Sequence, residues 1–342
     1  MITNQLKNKK ILFLCVRTFG LENQIIAKLK SYGADVVFYD ERIKDTNLTK
    51  AIIRVKKSLY KSKIERYYKR ILLETKDIDF SYLLVVRGEV VPVFFLEEFK
   101  KQHPSCCLIF YNWDSFRNTP NTSNHLHLYD RKFSFDPGDA KKFGINFRPL
   151  YFIDSYSQIS GSVSKRYDLL FLGTAHSDRY VISSQIKEYF ENHGRSAFCY
   201  YFMHSKWVYH FKRLFDKTFK NFDIKKISFK SLTIHEMLSL YEQSNVILDI
   251  NHPMQKGLTM RTFESIGAQK KLITTNSEIV KFDFFNSDNI FVLDRDNINV
   301  DLEWLDKPYQ PIDREIYHRL SISGWLYNLF LDEDSSYWSD FI

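Results

Sequence analysis

NVILDINHPMQKGLTMRTFESIGAQKKLITTN, residues 245–276, decides how the rest of the chain is read. It opens on a short apolar run, NVILDIN (245–251), and passes through a polar loop holding Pro253 and Gly257. An amphipathic stretch over 258–269 follows, then a second apolar run, KLITTN (271–276). Strand, helix and strand in that order are the unit of a parallel sheet with helical crossovers.

The same alternation runs outward in both directions. Before it come the strands YDLLFLG (167–173) and SAFCYYF (196–202) with a helix over 178–192 between them; after it comes NIFVLD (289–294). The first half repeats the pattern. ILFLCV (11–16), DVVFY (35–39), YLLVV (82–86) and CCLIFY (106–111) read as strands, with helices over 21–31, 48–74 and 93–101. KFSFDPGDAKKFGI adds a short strand and a helix that Pro137 can start, and NFRPLYF reads as the last strand of this half. The Ser-rich stretch DSYSQISGSVSKRY (153–166) reads as the linker. The expected fold is therefore α/β: two doubly wound Rossmann-like domains facing a central cleft. The expected boundaries are 1–155 for the first domain and 156–311 for the second, with a helical segment, 312–342, packing back on the first.

Composition supports this and removes other classes. The chain has 342 residues, 44% of them apolar and 16% aromatic, enough to bury a large core and too many for a disordered chain. No stretch reaches the roughly 18 apolar residues that a membrane-spanning helix needs. The basic start MITNQLKNKK leads into an apolar run that meets Arg17 without a small-residue cleavage site, so a buried first strand is expected rather than a leader. Cys15, Cys106, Cys107 and Cys199 have no metal-ligand spacing and read as reduced core residues of a cytoplasmic protein. The net charge of +8 favours an anionic partner without choosing among nucleic acid, anionic lipid and a phosphorylated small molecule.

Open parallel sheets bind ligands beyond the carboxyl ends of their strands. In the first half those ends carry Arg17 and Thr18, then Arg87-Gly88-Glu89, then Asn112-Trp113-Asp114; in the second, Gly173-Thr174, Asn251-His252 and Thr275-Asn276. Within 252–276, Gly257 ends a loop just before a helix whose N-terminus suits a diphosphate. Arg261 and Glu264, three apart, share a helical face: the guanidinium suits phosphate and the carboxylate suits ribose hydroxyls, although an ordinary Arg–Glu pair has the same spacing. FLGTAHSDR (171–179) places a strand end and a loop before another helix, so its backbone can approach a phosphate, and His176 can donate to one or simply cap the loop. Asp114, after a buried strand, suits a general base or a helix cap, and Trp113 suits core packing or an apolar platform for a sugar ring.

FLGTAHSDR, the NWDS strand end and above all GLTMRTFESIGAQKKLITTN together resemble the CgeB-like glycosyltransferases, a group with the two-Rossmann-domain GT-B architecture. The resemblance covers most of the second half and part of the first, and the glycine usual near the end of the donor helix stands here as Gly267-Ala268-Gln269. It implies a sugar transferred from a nucleotide-sugar donor to a glycan or lipid-linked acceptor, in bacterial surface polysaccharide synthesis. The donor side would comprise Gly173, Thr174, His176, Asn251, His252, Gly257, Leu258, Thr259, Arg261 and Glu264. The acceptor side would comprise Arg17, Arg87 and Trp113, with Asp114 or Glu89 as catalytic base. No cofactor and no essential metal are expected: Asp77-Ile78-Asp79 and Asp294-Arg295-Asp296 read as loop acids, and His125 and His127 have no accompanying ligand cluster.

Two other readings compete. A nucleotide-sugar epimerase would have the same fold and bind a similar donor. A nucleic-acid-binding protein would use the basic stretches 50–74, with nine Lys/Arg and two Glu, and 206–226, which interleaves Lys and Arg with aromatics. Neither stretch matches a nucleic-acid module, so nucleic acid is not the expected partner. Both are expected to be solvated amphipathic helices, with an anionic membrane surface as the sharper alternative and a peripheral location on the inner face of the membrane as its consequence.

Overall fold

The computed structural model describes residues 2–43, 57–159, 163–175, 178–215, 219, 222–331 and 336–342, and side chains in the helix that starts at Lys57 from residue 61 on. His176, residues 160–162 of the expected linker, and parts of both basic stretches (50–56, 216–218, 220 and 221) lie outside the described residues. The chain divides into two compact units, Met1–Pro149 with Trp325–Ile342, and Leu150–Gly324.

The first unit is built on a six-stranded, wholly parallel sheet: β1 (Lys10–Cys15), β2 (Asp35–Asp40), β3 (Tyr82–Val86), β4 (Cys107–Asn112), β5 (Arg131–Ser134) and β6 (Asn146–Phe147). They lie in the order β2-β1-β3-β4-β5-β6. β1, β3 and β4 are near-continuous apolar runs because both their faces are covered by helices. On one face Leu12, Leu14, Leu83, Val85, Leu108 and Phe110 pack against Tyr68, Phe95 and Phe99 of the crossover helices. Tyr68 and Phe95 meet edge-on at 4.9 Å between ring centres. Residues 325–342 complete the unit: Trp325 sets its edge on the Tyr111 ring at 5.0 Å, and the Arg148 guanidinium lies 4.6 Å from the Trp338 ring centre. The last strand is shorter than NFRPLYF suggests. Only Asn146 and Phe147 pair, because β6 is an edge strand and Pro149 has no N–H to continue the ladder.

The second unit carries β7 (Tyr167–Thr174), β8 (Ala197–Phe202), β9 (Ile227–Ser228), β10 (Ser244–Asp249), β11 (Lys271–Thr274) and β12 (Ile290–Val292), again all parallel. Their order is β12-β11-β10-β7-β8-β9. Counted from the unit's first strand this is the dinucleotide-binding order 3-2-1-4-5-6, reversed in direction at β7/β10. Leu169, Phe171, Val246, Leu248 and Ile273 form the sheet's share of a core closed by Ile182, Ile186 and Phe190 of the helix Arg179–Asn192. The Ser-rich stretch opens in structure rather than as free chain: Asp154–Ser157 is a helical turn whose buried Tyr156 sets its ring edge-on to Tyr241 at 5.0 Å. Gly267 has a packing reason. A Cβ there would stand 2.6 Å from Cγ of Phe152, so only glycine lets that ring lie against the helix.

Candidate functional site

In the first unit the strand order reverses between β1 and β3. The chain leaves both strands through left-handed backbone: Phe19 (φ 52°) and Gly20 (φ 78°) after β1, Arg87 (φ 80°) and Gly88 (φ 68°) after β3. Glycine accepts this conformation freely, whereas Phe and Arg in it hold strain of about 1–3 kcal/mol each. Two buried side chains grip the second pair. Glu41, just past β2, accepts the Gly88 N–H at 2.8 Å through Oε2, while the His125 ring hydrogen-bonds the Gly88 backbone. Both groups are buried, and one polar atom on each, Oε1 of Glu41 and Nδ1 of His125, has no partner. Burial pushes the Glu41 carboxyl up to about 7, against the pull of the nearby Arg87 guanidinium. Burial also pushes His125 down to about 4.

Around this grip sit the acids and bases the sequence singles out. Arg87 Nη2 lies 3.0 Å from Glu89 Oε2 and 3.6 Å from Asp114 Oδ2, so β3 and β4 bring these three together. Arg42 joins them, 3.3 Å from the same Glu89 oxygen. Asp114 caps a turn rather than a helix: Oδ1 accepts from the Ser115 N–H at 2.8 Å and from Asn118 Nδ2 at 2.9 Å. Trp113 is half-buried beside it. Arg17 stands apart from the triad. It is exposed, 3.7 Å from Asp40, with its guanidinium 5.4 Å from the Phe38 ring centre.

The second unit's rim is arranged differently. The helix Met260–Gly267 starts two residues later than the glycine suggests, with Thr259 as its cap: Oγ1 accepts the Arg261 N–H at 3.1 Å and donates to Asp249 Oδ2 at 2.8 Å. Thr262 donates to the same Asp249 oxygen at 3.0 Å. Asp249, at the end of β10, is buried, which raises its carboxyl, opposed by these hydroxyls and by Arg179. Arg261 and Glu264 do share a face, and they bond each other: Nη1 to Oε2 is 2.5 Å. Tyr241 Oη donates to that carboxylate at 3.0 Å, and Arg261 Nη2 donates to the Leu172 carbonyl of β7 at 2.9 Å. Burial opposes the charge on Arg261, but Glu264 and Tyr241 outweigh it, and its pKa is raised.

Two further guanidiniums line the same strand ends. Arg179 donates to the Ile250 carbonyl at 2.7 Å and to Thr174 Oγ1 at 3.0 Å. Arg295 reaches Asp178 at 2.5 Å, the Asn251 side chain at 2.6 Å and Thr275 Oγ1 at 3.0 Å. Asn251 is buried and shapes the loop: its Nδ2 donates to the Gln255 carbonyl at 2.9 Å while Oδ1 accepts from Thr275 at 2.8 Å. Gly257 and Leu258 are buried within that loop, so Gly173, Thr174, His252 and Thr259 are the accessible members of the described donor set besides the half-buried Arg261. A cavity of about 800 Å³ adjoins this rim, lined by polar groups such as Asp178, Gln185 and Arg295 and equally by apolar ones such as Val181, Ile182 and Ile298.

Sequence reasoning passed over Glu41, Arg179, Tyr241, Asp249 and Arg295. Glu41 directly follows the strand DVVFYD and the strand-end rule covers it. Arg295 is hidden between two acids read as a turn. Tyr241 carries no sequence signal, since its partner Glu264 lies 23 residues on. Among the described residues no group of three or more His, Cys, Asp or Glu side chains could hold a metal ion, and no helix is long and apolar enough to cross a membrane.

Searched against protein families and curated proteins, the sequence matches none. Solved structures do resemble it. A glycosyltransferase from Rickettsia africae matches with a TM-score of 0.56 at 11% identity, over 96% of this chain and all of the other. The UDP-GlcNAc 2-epimerase of Methanocaldococcus jannaschii, solved with UDP-GlcNAc and UDP, matches with a TM-score of 0.52 at 14% identity, over 94% of this chain and 99% of that one. Likeness over both full lengths at such low identity defines the fold: two Rossmann-like α/β units of the GT-B type.

Proposed function

We propose that this chain is a nucleotide-sugar-dependent glycosyltransferase, with the donor bound at the β7/β10 end of the second unit and the acceptor at the β1/β3 end of the first. The observation that carries the reading is the second unit's switch point. There the dinucleotide-binding strand order coincides with a loop, 251–259, that feeds a Thr259-capped helix pinned to β7 by Arg261. The donor diphosphate is assigned to the backbone N–H groups at that helix start and to Thr174 and His252. Glu264, buried with Oε2 taken by Arg261 and Tyr241 and a tenth of its side chain exposed, is assigned to the ribose hydroxyls through that exposed edge. Arg261 is assigned two tasks, holding the Glu264 carboxylate and offsetting donor charge. On the first unit, Arg87 orients Glu89 and Asp114, and Asp114 is the preferred base toward an acceptor hydroxyl. The acceptor class is a glycan or lipid-linked glycan, as in bacterial surface polysaccharide synthesis.

The test begins with the donor. Titration with nucleotides and nucleotide sugars should raise the melting temperature of the purified chain, and no rise with any of them would overturn the reading. Asp114→Asn should keep donor binding while transfer falls by roughly 100-fold or more. Near-normal transfer would move the base to Glu89. A nucleotide-sugar epimerase is the second reading, because the fold likeness to the epimerase is comparable. Incubation with donor alone separates the two: an epimerase converts the sugar without an acceptor, and a transferase does not.

A further inference from the structure

The helix Lys206–Phe215 of the second unit turns its apolar side outward. Tyr209 is its anchor, buried, with Oη donating to the Phe222 carbonyl at 2.7 Å. At 100° per residue, Trp207, Val208, Phe211, Leu214 and Phe215 fall within one arc roughly opposite that anchor. They are exposed: Trp207 by 85%, Leu214 by 76%, Phe215 by 74% and Phe211 by 52%. Soluble proteins scatter single exposed apolar residues, but a Trp, two Phe and a Leu side by side on one helix mark a contact surface. Lys206 flanks the stripe beyond His210 on one side and Lys212 borders it on the other, while Arg213 sits beside the anchor with Nη1 3.4 Å from Tyr209 Oη, and no acidic residue occurs between Lys206 and Phe215.

We propose that this helix docks the protein on an anionic lipid bilayer, lying in the headgroup layer with Trp207, Phe211, Leu214 and Phe215 inserted. Charge complementarity selects this occupant. A membrane surface rich in phosphate headgroups matches a cationic border, and Lys side chains can extend to the phosphates while their stems cover the apolar edge. Size argues the same way. A stable protein interface takes about 20–30 residues a side, whereas an interfacial helix needs only one apolar stripe with a basic border. Trp at the rim of such a stripe is suited to the water–lipid boundary by its apolar rings and polar N–H. The inference stands apart from the donor reading, since neither Tyr209 nor the stripe belongs to the β7/β10 rim.

Flotation of the full chain with vesicles tests it. Vesicles of phosphatidylcholine with about one-third phosphatidylglycerol should carry the protein upward, and pure phosphatidylcholine should carry far less. The pair Trp207→Ser and Phe211→Ser should lower the partition coefficient at least about tenfold, because each removes a buried aromatic from the lipid contact. Both positions are solvent-facing, so the melting temperature and its shift with nucleotide sugars should stay as in the parent chain. That separates failure here from failure of the functional reading. Quenching of tryptophan fluorescence by brominated lipid should fall in Trp207→Phe. Vesicle binding that the serine pair leaves unchanged would overturn the proposal. So would self-association without lipid that the same pair abolishes, which would make the stripe an interface between copies of this chain.

Discussion

The two strand-end rims use the same types of residue to opposite effect. In the second unit each guanidinium is already answered by the protein: Arg261 by Glu264 and Leu172, Arg295 by Asp178 and Asn251, Arg179 by Ile250 and Thr174. In the first unit one guanidinium, Arg87, serves both Glu89 and Asp114 while its Nε stays buried without a partner, as does Oε1 of Glu41. The second rim's guanidiniums are therefore held before any ligand arrives, and the one buried atom of their network without a partner among the described residues is Oδ1 of Asp178. The first rim holds unmet polar groups and left-handed backbone, which is where chemistry or a conformational change is more readily accommodated.

Breaking the second rim should have the largest effect. Arg261→Ala leaves the buried Glu264 facing the hydroxyls of Tyr241 and Tyr156 without a cation, and removal of one partner from a buried pair destabilises by about 3–5 kcal/mol. This differs from the expectation for a surface phosphate ligand, where binding falls and stability does not. Thermal or urea unfolding of Arg261→Ala decides between them. The double variant Arg261→Ala with Glu264→Ala should lose less than the sum of the single changes, because the stranded carboxylate goes too. Parent-like stability in Arg261→Ala would mean the network is not closed in solution.

Glu41 sharpens the contrast through pH. Its folded-state pKa, about 7, lies above the ordinary 4.5, so its contribution is fully present below pH 4.5 and is lost as pH rises through 7. The loss can reach about 3 kcal/mol, taking 1.36 kcal/mol per pKa unit. Glu41→Gln keeps an acceptor for the Gly88 N–H and cannot ionise. It should match the parent near pH 4 and exceed its stability by up to about 3 kcal/mol at pH 8. His125 works the other way. Its pKa is depressed from 6.5 to about 4, so its contribution is present above 6.5 and is lost as pH falls toward 4. In Glu41→Gln the acid-side decline from His125 should therefore stand alone. Parallel stability curves for parent and variant from pH 5 to pH 8 would show that Glu41 does not titrate in this range.

The alternation of apolar and amphipathic runs carried the sheet well, because a doubly wound strand is buried on both faces and reads as an unbroken apolar run. YLLVV became β3 at the residues expected. The pattern failed where periodicity carries no information. NFRPLYF is apolar enough for a strand, but its pairing ends before Pro149. The helical segment expected over 312–342 is broken between Arg314–Arg319 and Ile322–Phe330, because Leu320 and Ser321 leave the first helix to join a bridge between Ser321 and Phe152. The site was legible where strand ends carry conspicuous residues. Arg17, Arg87, Glu89 and Asp114 were expected to converge; Arg87 lies within ion-pair reach of Glu89 and of Asp114, while Arg17 stands apart beside Asp40. Tyr241 and Arg295 were not legible, since each acts through partners far away in sequence.

Arg17 offers the smallest effect and isolates binding from folding. Its ion pair with Asp40 is long and its own side chain is exposed, with the guanidinium over the Phe38 ring. Such surface pairs contribute about 0–1 kcal/mol, so Arg17→Ala should leave the unfolding curve almost unmoved. Donor affinity should also stay unchanged, because the donor is assigned to the second unit. If the acceptor carries phosphate or carboxylate, the variant should raise the acceptor KM by about tenfold, equivalent to one charge-assisted hydrogen bond of about 1.5 kcal/mol or slightly less. The increase should shrink at high salt, where an exposed charge is screened beyond about 3 Å at 1 M. A parent-like acceptor KM at low salt would take Arg17 out of the site. It would leave the acceptor to the group that Arg87 holds together, the part of the first rim where the protein leaves its own polar atoms unanswered.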